Sequence, residues 1–415
     1  MATQPFISEL MDQYLMDYYN NLYPTKLFIK WLSYNKSAKE AMNKREIGFS
    51  FKGGAMLRYQ SFSEPNEFTR TLCTKLPHKI EIGPVYNHPV SERLKLEPGA
   101  MKAVERELIF DIDLTDYDDV RNCCKDAKIC QKCWLFMTIA AKVLQRILIE
   151  HFGFTNLLFV FSGRRGIHVW CADPAARGLA DGDRRAIRDY FNVNDLKNTF
   201  RNGKIHMMIR DSCRTIMDSP ETEELVDEQG WMDDDYLLNI WLKKCEDKAT
   251  VKHVTTLFKK LFTSADRFKC LKQMCDPESH AESGTKLAAP SYEATKWFYT
   301  FLLHHMHPRL DEQVTLQVNH LLKSPFCVHP GTGLVSVPFK VEGSHEVQVE
   351  QFPRVDTLVQ EVKNEKASKE EGNEDKENNR KILYYKRTSL APYIEIFEEF
   401  IEKALQASDT NKMLN

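Results

Sequence analysis

The chain has 415 residues, of which 42% are hydrophobic and 28% charged, a balance that suits two or three folded units of ordinary size and excludes a fibrous or wholly disordered protein. Its 57 Lys and Arg against 59 Asp and Glu leave a formal charge of −2, so no global field draws it to nucleic acid and any such binding must come from local clusters. The longest apolar runs, such as 157–161 (LLFVF), fall far below the ~20 residues that span a bilayer, and the N-terminus lacks a basic region followed by an apolar stretch.

Leu10, Tyr14, Tyr18 and Leu22, then Leu27 and Trp31, recur at helical spacing, with Pro24 between them. Two amphipathic helices are expected, their aromatic stripe packing into a core rather than stacking on a cofactor. From 46 to 115 the pattern turns to short β-like runs at 47–51, 56–62, 79–86 and 107–114, broken by Gly and Pro. Residues 134–151 predict a buried helix that Gly153 stops. LLFVF, the link SGRRG and 167–172 (IHVWCA) then predict two strands around a tight turn. Strands, helix and strands again imply an α/β (α+β) layer arrangement.

Residues 174–300 read as mostly helical, an inserted subdomain whose segment 219–235 holds eight carboxylates and no Lys or Arg. The stretch 309–339 reads as a helix, a Pro-bounded loop and a strand. Residues 361–380 carry seven acidic and five basic side chains with only Val362 and Ala367 apolar, the composition of a disordered charged insertion. Residues 390–405 predict an amphipathic helix that docks back. The expected organisation is 1–173 as N-terminal helices and first part of an α/β core that includes the cysteine-rich segment 123–133, 174–300 as helical insert, 301–345 as second part of that core, 361–380 as insertion and 386–408 as a closing helix.

In ELIFDIDL (107–114), alternation puts Asp111 and Asp113 on one strand face. Adjacent carboxylates repel unless a cation lies between them, and hard oxygen ligands suit Mg²⁺ or Mn²⁺. The pair taken alone is equally compatible with a strand end emerging into solvent. Two-metal phosphoryl transfer needs a further acidic ligand, for which Asp311 is the candidate. Asp116, Asp118 and Asp119 are accounted for by a turn or helix start.

The glycines of Ser162-Gly163-Arg164-Arg165-Gly166 let backbone N–H groups approach an anion, and Arg forks add bidentate phosphate contacts. His168 follows in phase with Trp170. An ordinary hairpin with exposed arginines is the alternative. In HLLKSPFCVH (320–329), Lys323 reads as the end of a helix and His329 precedes Pro330; each is commonly structural. Glu46 and Arg58 flank strand-like segments, where surface charges are usual.

The chain has 11 cysteines, odd in number and unevenly spread, which fits a reducing compartment better than a disulfide framework. Cys123, Cys124, Cys130 and Cys133 form CC-x5-C-x2-C, a spacing that can close a tetrahedral structural Zn²⁺ site.

FDID, the cysteine cluster, SGRRG-x-H and HLLKSPF-x-VHP-x-TG together resemble the small catalytic subunit of eukaryotic DNA primase, within the archaeo-eukaryotic primase superfamily. The likeness covers 45–173 and 305–340, and extends more weakly to the N-terminal helices and KRTSLAPY (386–393). It implies a mixed β-sheet core flanked by helices, and a DNA-dependent RNA polymerase that starts RNA primers de novo on single-stranded DNA from ribonucleoside triphosphates. It assigns Asp111, Asp113 and Asp311 to the catalytic ions. Ser162, Arg164, Arg165, His168, Lys323 and His329 go to triphosphate binding, Glu46 and Arg58 to the initiating nucleotide or primer end, and Lys79 and Glu81 to the incoming sugar. It also implies a nuclear protein working with an iron–sulfur large primase subunit and DNA polymerase alpha. A non-catalytic nucleic-acid-binding subunit would not need all these groups; a metal-dependent nuclease or phosphatase would need the carboxylates but little triphosphate grip.

Overall fold

The structure, a computed structural model, describes residues 6–193, 200–201, 203–284, 288–344, 349–371 and 383–414. Helices α1 (Met11–Asn21) and α2 (Thr25–Ser33) flank Pro24 and bury one stripe, with Tyr18 and Trp31 fully inside. The strands β1 (Arg45–Ser50), β2 (Met56–Gln60), β3 (Lys79–Tyr86), β5 (Leu108–Asp113), β6 (Leu157–Phe161) and β7 (Gly166–Cys171) follow the β-like runs to within a residue or two at most ends, while the short β4 (Ala103–Glu105) falls outside them. Between β5 and β6 lies α3 (Gln131–Phe152), nearly all of whose apolar residues are buried, closed by Gly153 in the left-handed conformation.

Between β7 and residue 300 the described elements are helical apart from the small ribbon of β8 (Phe200–Arg201) and β9 (Lys204–Ile205). They include α4 (Met207–Asp218), α5 (Glu221–Glu228), α6 (Ser264–Cys275) and most of α7 (Tyr292–Met306). α4 and α5 pack on α3, so this region rests on the core helix. The segment 219–235 is not simply an exposed acidic face: Leu225, Val226, Trp231 and Met232 are buried, and Glu221 pairs with Lys142 of α3 at 2.6 Å.

The chain then returns through α8 (Glu312–Leu316), β10 (Leu322–Lys323) and β11 (Pro338–Phe339). The expectation of one mixed sheet is corrected here, because the recorded pairings are antiparallel and divide into two principal sheets. One runs β10–β3–β1–β2 with β4 also on β3; the other runs β11–β6–β7–β5. The returning segment thus adds an edge strand to each sheet. Lys323 does not end a helix, as helical spacing in HLLK suggested. It lies in β10 opposite Glu81, and Ser324 donates its N–H to Ile80 O at 2.8 Å before Pro325 stops the pairing.

A buried ion pair joins the sheets: Arg45 of β1 and Glu107, just before β5, meet at 2.9 Å with both side chains fully buried, and Tyr34 donates its hydroxyl to Glu107 at 2.7 Å. Arg45 holds the Glu107 carboxyl down at about 2 against the desolvation that would raise it. Residues 361–371, expected to be disordered, belong instead to α9 (Val355–Glu371), because Leu358, Val359 and Val362 form a buried stripe against the core. Residues 372–380 of that expected insertion lie outside the described residues. Helix α10 (Ala391–Leu414) packs back on the core, Phe397 lying 5.6 Å from Trp31, whose ring is 5.5 Å from Trp170 of β7.

Candidate active site

Strand β5 ends the second sheet with Ile109, Phe110 and Ile112 buried and Asp111 and Asp113 half-buried. Asp113 caps the turn that follows, its Oδ1 accepting from the Thr115 N–H at 2.9 Å and the Thr115 hydroxyl at 2.8 Å. Arg165 Nε closes on the same carboxylate at 2.7 and 2.8 Å.

Asp311 comes to this pair from almost 200 residues further along. Its backbone N–H donates to Asp111 O at 2.9 Å, while its carboxylate accepts from Gln313 N–H at 3.0 Å and starts α8. Arg309 anchors the approach, ion-paired to Asp119 at 2.5 Å, with its N–H donating to the Tyr117 hydroxyl at 3.1 Å. The DYDD turn therefore docks the RLD segment, a task its sequence did not signal.

The electrostatics register the convergence. Asp111 is pushed up to about 7, first by burial and then by Asp311, Asp113 and Asp116. Asp116 is raised as well, by partial burial and by Asp113 and Asp311. Arg165 offsets the charge of Asp113 but leaves Asp111 crowded by acids, and Asp111, Asp113 and Asp311 could hold a hard divalent cation there.

The cationic side is built by the turn between β6 and β7 meeting the returning segment. Gly163 has φ +89°, and a Cβ there would come within 3.1 Å of both Lys323 Nζ and the His329 side chain. Lys323 Nζ donates to Ser162 O at 2.7 Å, and the hydroxyls of Ser336 and Thr332 donate to Ser162 O and Gly163 O at 2.9 and 2.8 Å. Ser162 Oγ accepts from Gly166 N–H at 3.1 Å, which tightens the turn.

His168 stands opposite Asp111 in the β5–β7 register, its Nε2 3.7 Å from the carboxylate, and its buried Nδ1 has no partner among the described residues. His329 is lowered to about 3 by burial and by Lys323, Arg164, Lys79 and Arg165, and His168 likewise by burial and Lys323. Lys323 itself falls to about 8 through burial and Lys79. Burial first, and the neighbouring cations second, lower both histidines and Lys323, so the cradle is a place where added negative charge would be favourable. Thr332 and Ser336, which shape it, were missed in the sequence because hydroxyls bonded to backbone carry no spacing signal.

Glu46, Arg58, Lys79 and Glu81 sit in the first sheet. Lys79 belongs to the cradle by its effect on His329 and Lys323. Glu81, opposite Lys323, accepts from the Ser50 hydroxyl at 2.8 Å. Glu46 is fully buried and accepts from Arg58 Nε at 2.8 Å, Arg58 Nη2 at 3.1 Å, Tyr59 N–H at 3.1 Å and Tyr86 OH at 2.9 Å. Its lone pairs are taken up by protein donors, so it orients Arg58 rather than presenting a bare carboxylate.

The four cysteines Cys123, Cys124, Cys130 and Cys133 converge, their Sγ atoms all within 4.8 Å of one another and those of Cys130 and Cys133 3.8 Å apart. Four thiolates at that spacing can hold a tetrahedral metal ion. Around them, Cys130 N–H donates to Cys133 Sγ at 3.1 Å, and Gln229 Nε2 to Cys123 Sγ at 3.3 Å. Gln229 comes from the acidic segment 219–235, where the sequence showed no chemistry.

Comparison with known proteins agrees with this geometry. Residues 110–341 match the family described as DNA primase small subunit. The DNA primase small subunit of Caenorhabditis elegans is 36% identical, covering 95% of this chain and 98% of its own. That of Saccharomyces cerevisiae is 33% identical over 94% and 91%, and that of Drosophila melanogaster 32% over 97% and 93%. With its carboxylates, cationic cradle and cysteine cluster in one continuous match, this chain belongs to the DNA primase small subunit family.

Proposed function

We propose that this chain is the catalytic subunit of a primase, a nucleotidyltransferase that makes short RNA primers on single-stranded DNA for replication. The observation that carries the reading is the meeting of Asp111, Asp113 and Asp311 beside the Ser162–Gly166 turn and Lys323. The 3′-hydroxyl of one ribonucleotide loses its proton and forms a bond to the α-phosphorus of the next. The α–β phosphoanhydride bond breaks and pyrophosphate leaves.

Arg164, Lys323 and Lys79 supply charge to the triphosphate, with Ser162, His168 and His329 as further contacts. Arg165, now on Asp113, lies between the carboxylates and the cradle and can serve either. Glu46 and Arg58 serve the initiating nucleotide or primer end, Arg58 making the contact with Glu46 behind it, and Glu81 faces the incoming sugar. Asp111, Asp113 and Asp311 would hold Mg²⁺ or Mn²⁺, which supplies Lewis-acid polarisation of the phosphate and lowers the pKa of the attacking hydroxyl.

Cys123, Cys124, Cys130 and Cys133 would hold a structural Zn²⁺, since their sulfurs lie within 4.8 Å of one another and a four-thiolate shell would tie the loop to α3 without leaving a position for substrate. A small subunit works with a larger assembly. Its partners are an iron–sulfur large subunit, DNA polymerase alpha and the template strand, and its compartment is the nucleus, where that replication occurs. No helix among the described residues is long and apolar enough to cross a membrane.

The test is incubation of the purified chain with single-stranded DNA, ribonucleoside triphosphates and Mg²⁺ or Mn²⁺. Short RNA oligomers are expected, and Asp113→Ala abolishes them in a protein that still folds. Degraded DNA with no RNA product would overturn the reading in favour of a nuclease.

A further inference from the structure

Arg106 opens strand β5's neighbourhood two residues upstream of Leu108 and is completely buried. Among the described residues no carboxylate lies within ion-pair distance of it, and its Nε and Nη2 have no hydrogen-bond partner. Burial and the nearby Arg184 pull its guanidinium down to about 9, although Glu107 acts the other way. A buried, uncompensated cation is costly, and a well-packed apolar side chain of similar volume would do as well or better for stability. Stability is therefore a poor account of why an arginine stands here.

What Arg106 does touch is the far end of the Asp311 helix. Its Nη1 donates to Val314 O at 3.1 Å and to Gln317 O at 2.8 Å, carbonyls left without intrahelical partners where α8 ends. Thr315 makes a second contact of the same kind. A helical threonine ordinarily turns its hydroxyl to a carbonyl one turn back in its own helix; Thr315, fully buried, donates instead to Ile109 O of β5 at 2.8 Å. With Asp311 N–H on Asp111 O at 2.9 Å, α8 is fastened to the aspartate strand at its start, its middle and its end. The helix has only five residues, too few to hold its own shape in isolation, so these ties fix where the Asp311 carboxylate stands relative to Asp111 and Asp113.

We propose that Arg106 and Thr315 are positioning residues that hold Asp311 in register with the β5 aspartates and thereby set the affinity of the three carboxylates for a divalent cation. The inference rests on the reading above that Asp311 is a cation ligand. It assigns the buried guanidinium a role in metal affinity that it exerts through Asp311.

The test measures Mn²⁺ binding to the full chain without nucleotide, by electron paramagnetic resonance of free Mn²⁺, alongside thermal melting. Arg106→Met fills the same volume without charge, and Thr315→Val is isosteric without the hydroxyl. Each is expected to weaken Mn²⁺ binding about tenfold or more, the size seen for groups that orient metal ligands, with melting in cation-free buffer within a few degrees of wild type. Thr315→Ser, which keeps the hydroxyl, is expected to restore most of the affinity. Asp311→Asn separates the two levels of the argument. If Asp311→Asn binds Mn²⁺ like wild type, Asp311 is no ligand and both readings fall. If Asp311→Asn is impaired but Thr315→Val and Arg106→Met bind normally, or lose affinity only in step with a collapse in melting temperature, the positioning role alone is overturned.

Discussion

Replacing Asp111 by Asn should make the cation-free protein more stable while destroying its activity. The Asp111 carboxyl sits at about 7, far above the usual 3.8, so at pH 8 the fold keeps ionised a group it would rather see protonated. At about 1.4 kcal/mol per pH unit this costs up to ~4 kcal/mol. The 27% of the side chain that reaches solvent screens the repulsion and brings the figure to about 2–3 kcal/mol. The sign follows from linkage. An acid whose folded pKa is raised loses nothing below about pH 4, loses progressively more as pH climbs, and reaches its full penalty above about pH 7. Scanning calorimetry in buffer free of divalent cations should find Asp111→Asn ahead of wild type by a few degrees at pH 8, with the gap shrinking to about a third at pH 5. Added Mn²⁺ should reverse the order, because it neutralises the wild-type cluster and finds one ligand fewer in the variant. An Asn variant less stable than wild type at pH 8, or equal Mn²⁺ stabilisation of both proteins, would refute the account.

Other substitutions probe the neighbouring features. Arg164→Ala should raise the nucleotide concentration needed for half-maximal primer synthesis by about tenfold or more, the worth of a charged phosphate contact, with little change in melting temperature; comparable losses in both would argue against a cradle role. Glu107→Ala strands Arg45 in the core and should cost about 3–5 kcal/mol in denaturant unfolding. Because Glu107 is held at about 2, its contribution is present above pH 4.5 and vanishes as pH falls toward 2, so Glu107→Gln should flatten the acid limb of the wild-type stability curve. Gly166→Ala puts a Cβ 2.1 Å from Ile112 O, so β5 and β7 must part; a loss of at least about 2 kcal/mol, with Mn²⁺ affinity falling too, is expected by melting and titration. Elemental analysis should return about one zinc per chain, and stripping it should lower the melting temperature before any change at the carboxylates.

The pieces of the site that could be read along the chain are those whose chemistry is local. FDID alternates within one strand, SGRRG joins two, and the cysteines fall in one short stretch running from a loop into the first turn of α3, so spacing alone carries them. Asp311 could be named but not located, since its approach depends on Tyr117, Asp119 and the β5 carbonyls far away in sequence. Lys323 was misassigned because a short run such as HLLK fits helical spacing, and pairing with β3 outweighs that local preference. Charge density in 361–371 concealed Val362, whose burial together with Leu358 and Val359 just upstream makes α9. Arg45, Arg106 and Glu107 gave no warning at all, for a charged residue beside a strand is ordinarily at the surface.

The return of the chain through α8, β10 and β11 also orders events in time. A nascent polypeptide that has left the ribosome as far as Met306 already contains both FDID aspartates, the arginine turn and every clustered cysteine. It lacks the last acid, the lysine and an edge strand for each principal sheet. A chain stopped there would leave each sheet without the edge strand that β10 or β11 supplies. On the roles proposed for Asp311 and Lys323, chains truncated before that point would be unable to start RNA, and premature termination would give silence rather than misplaced initiation.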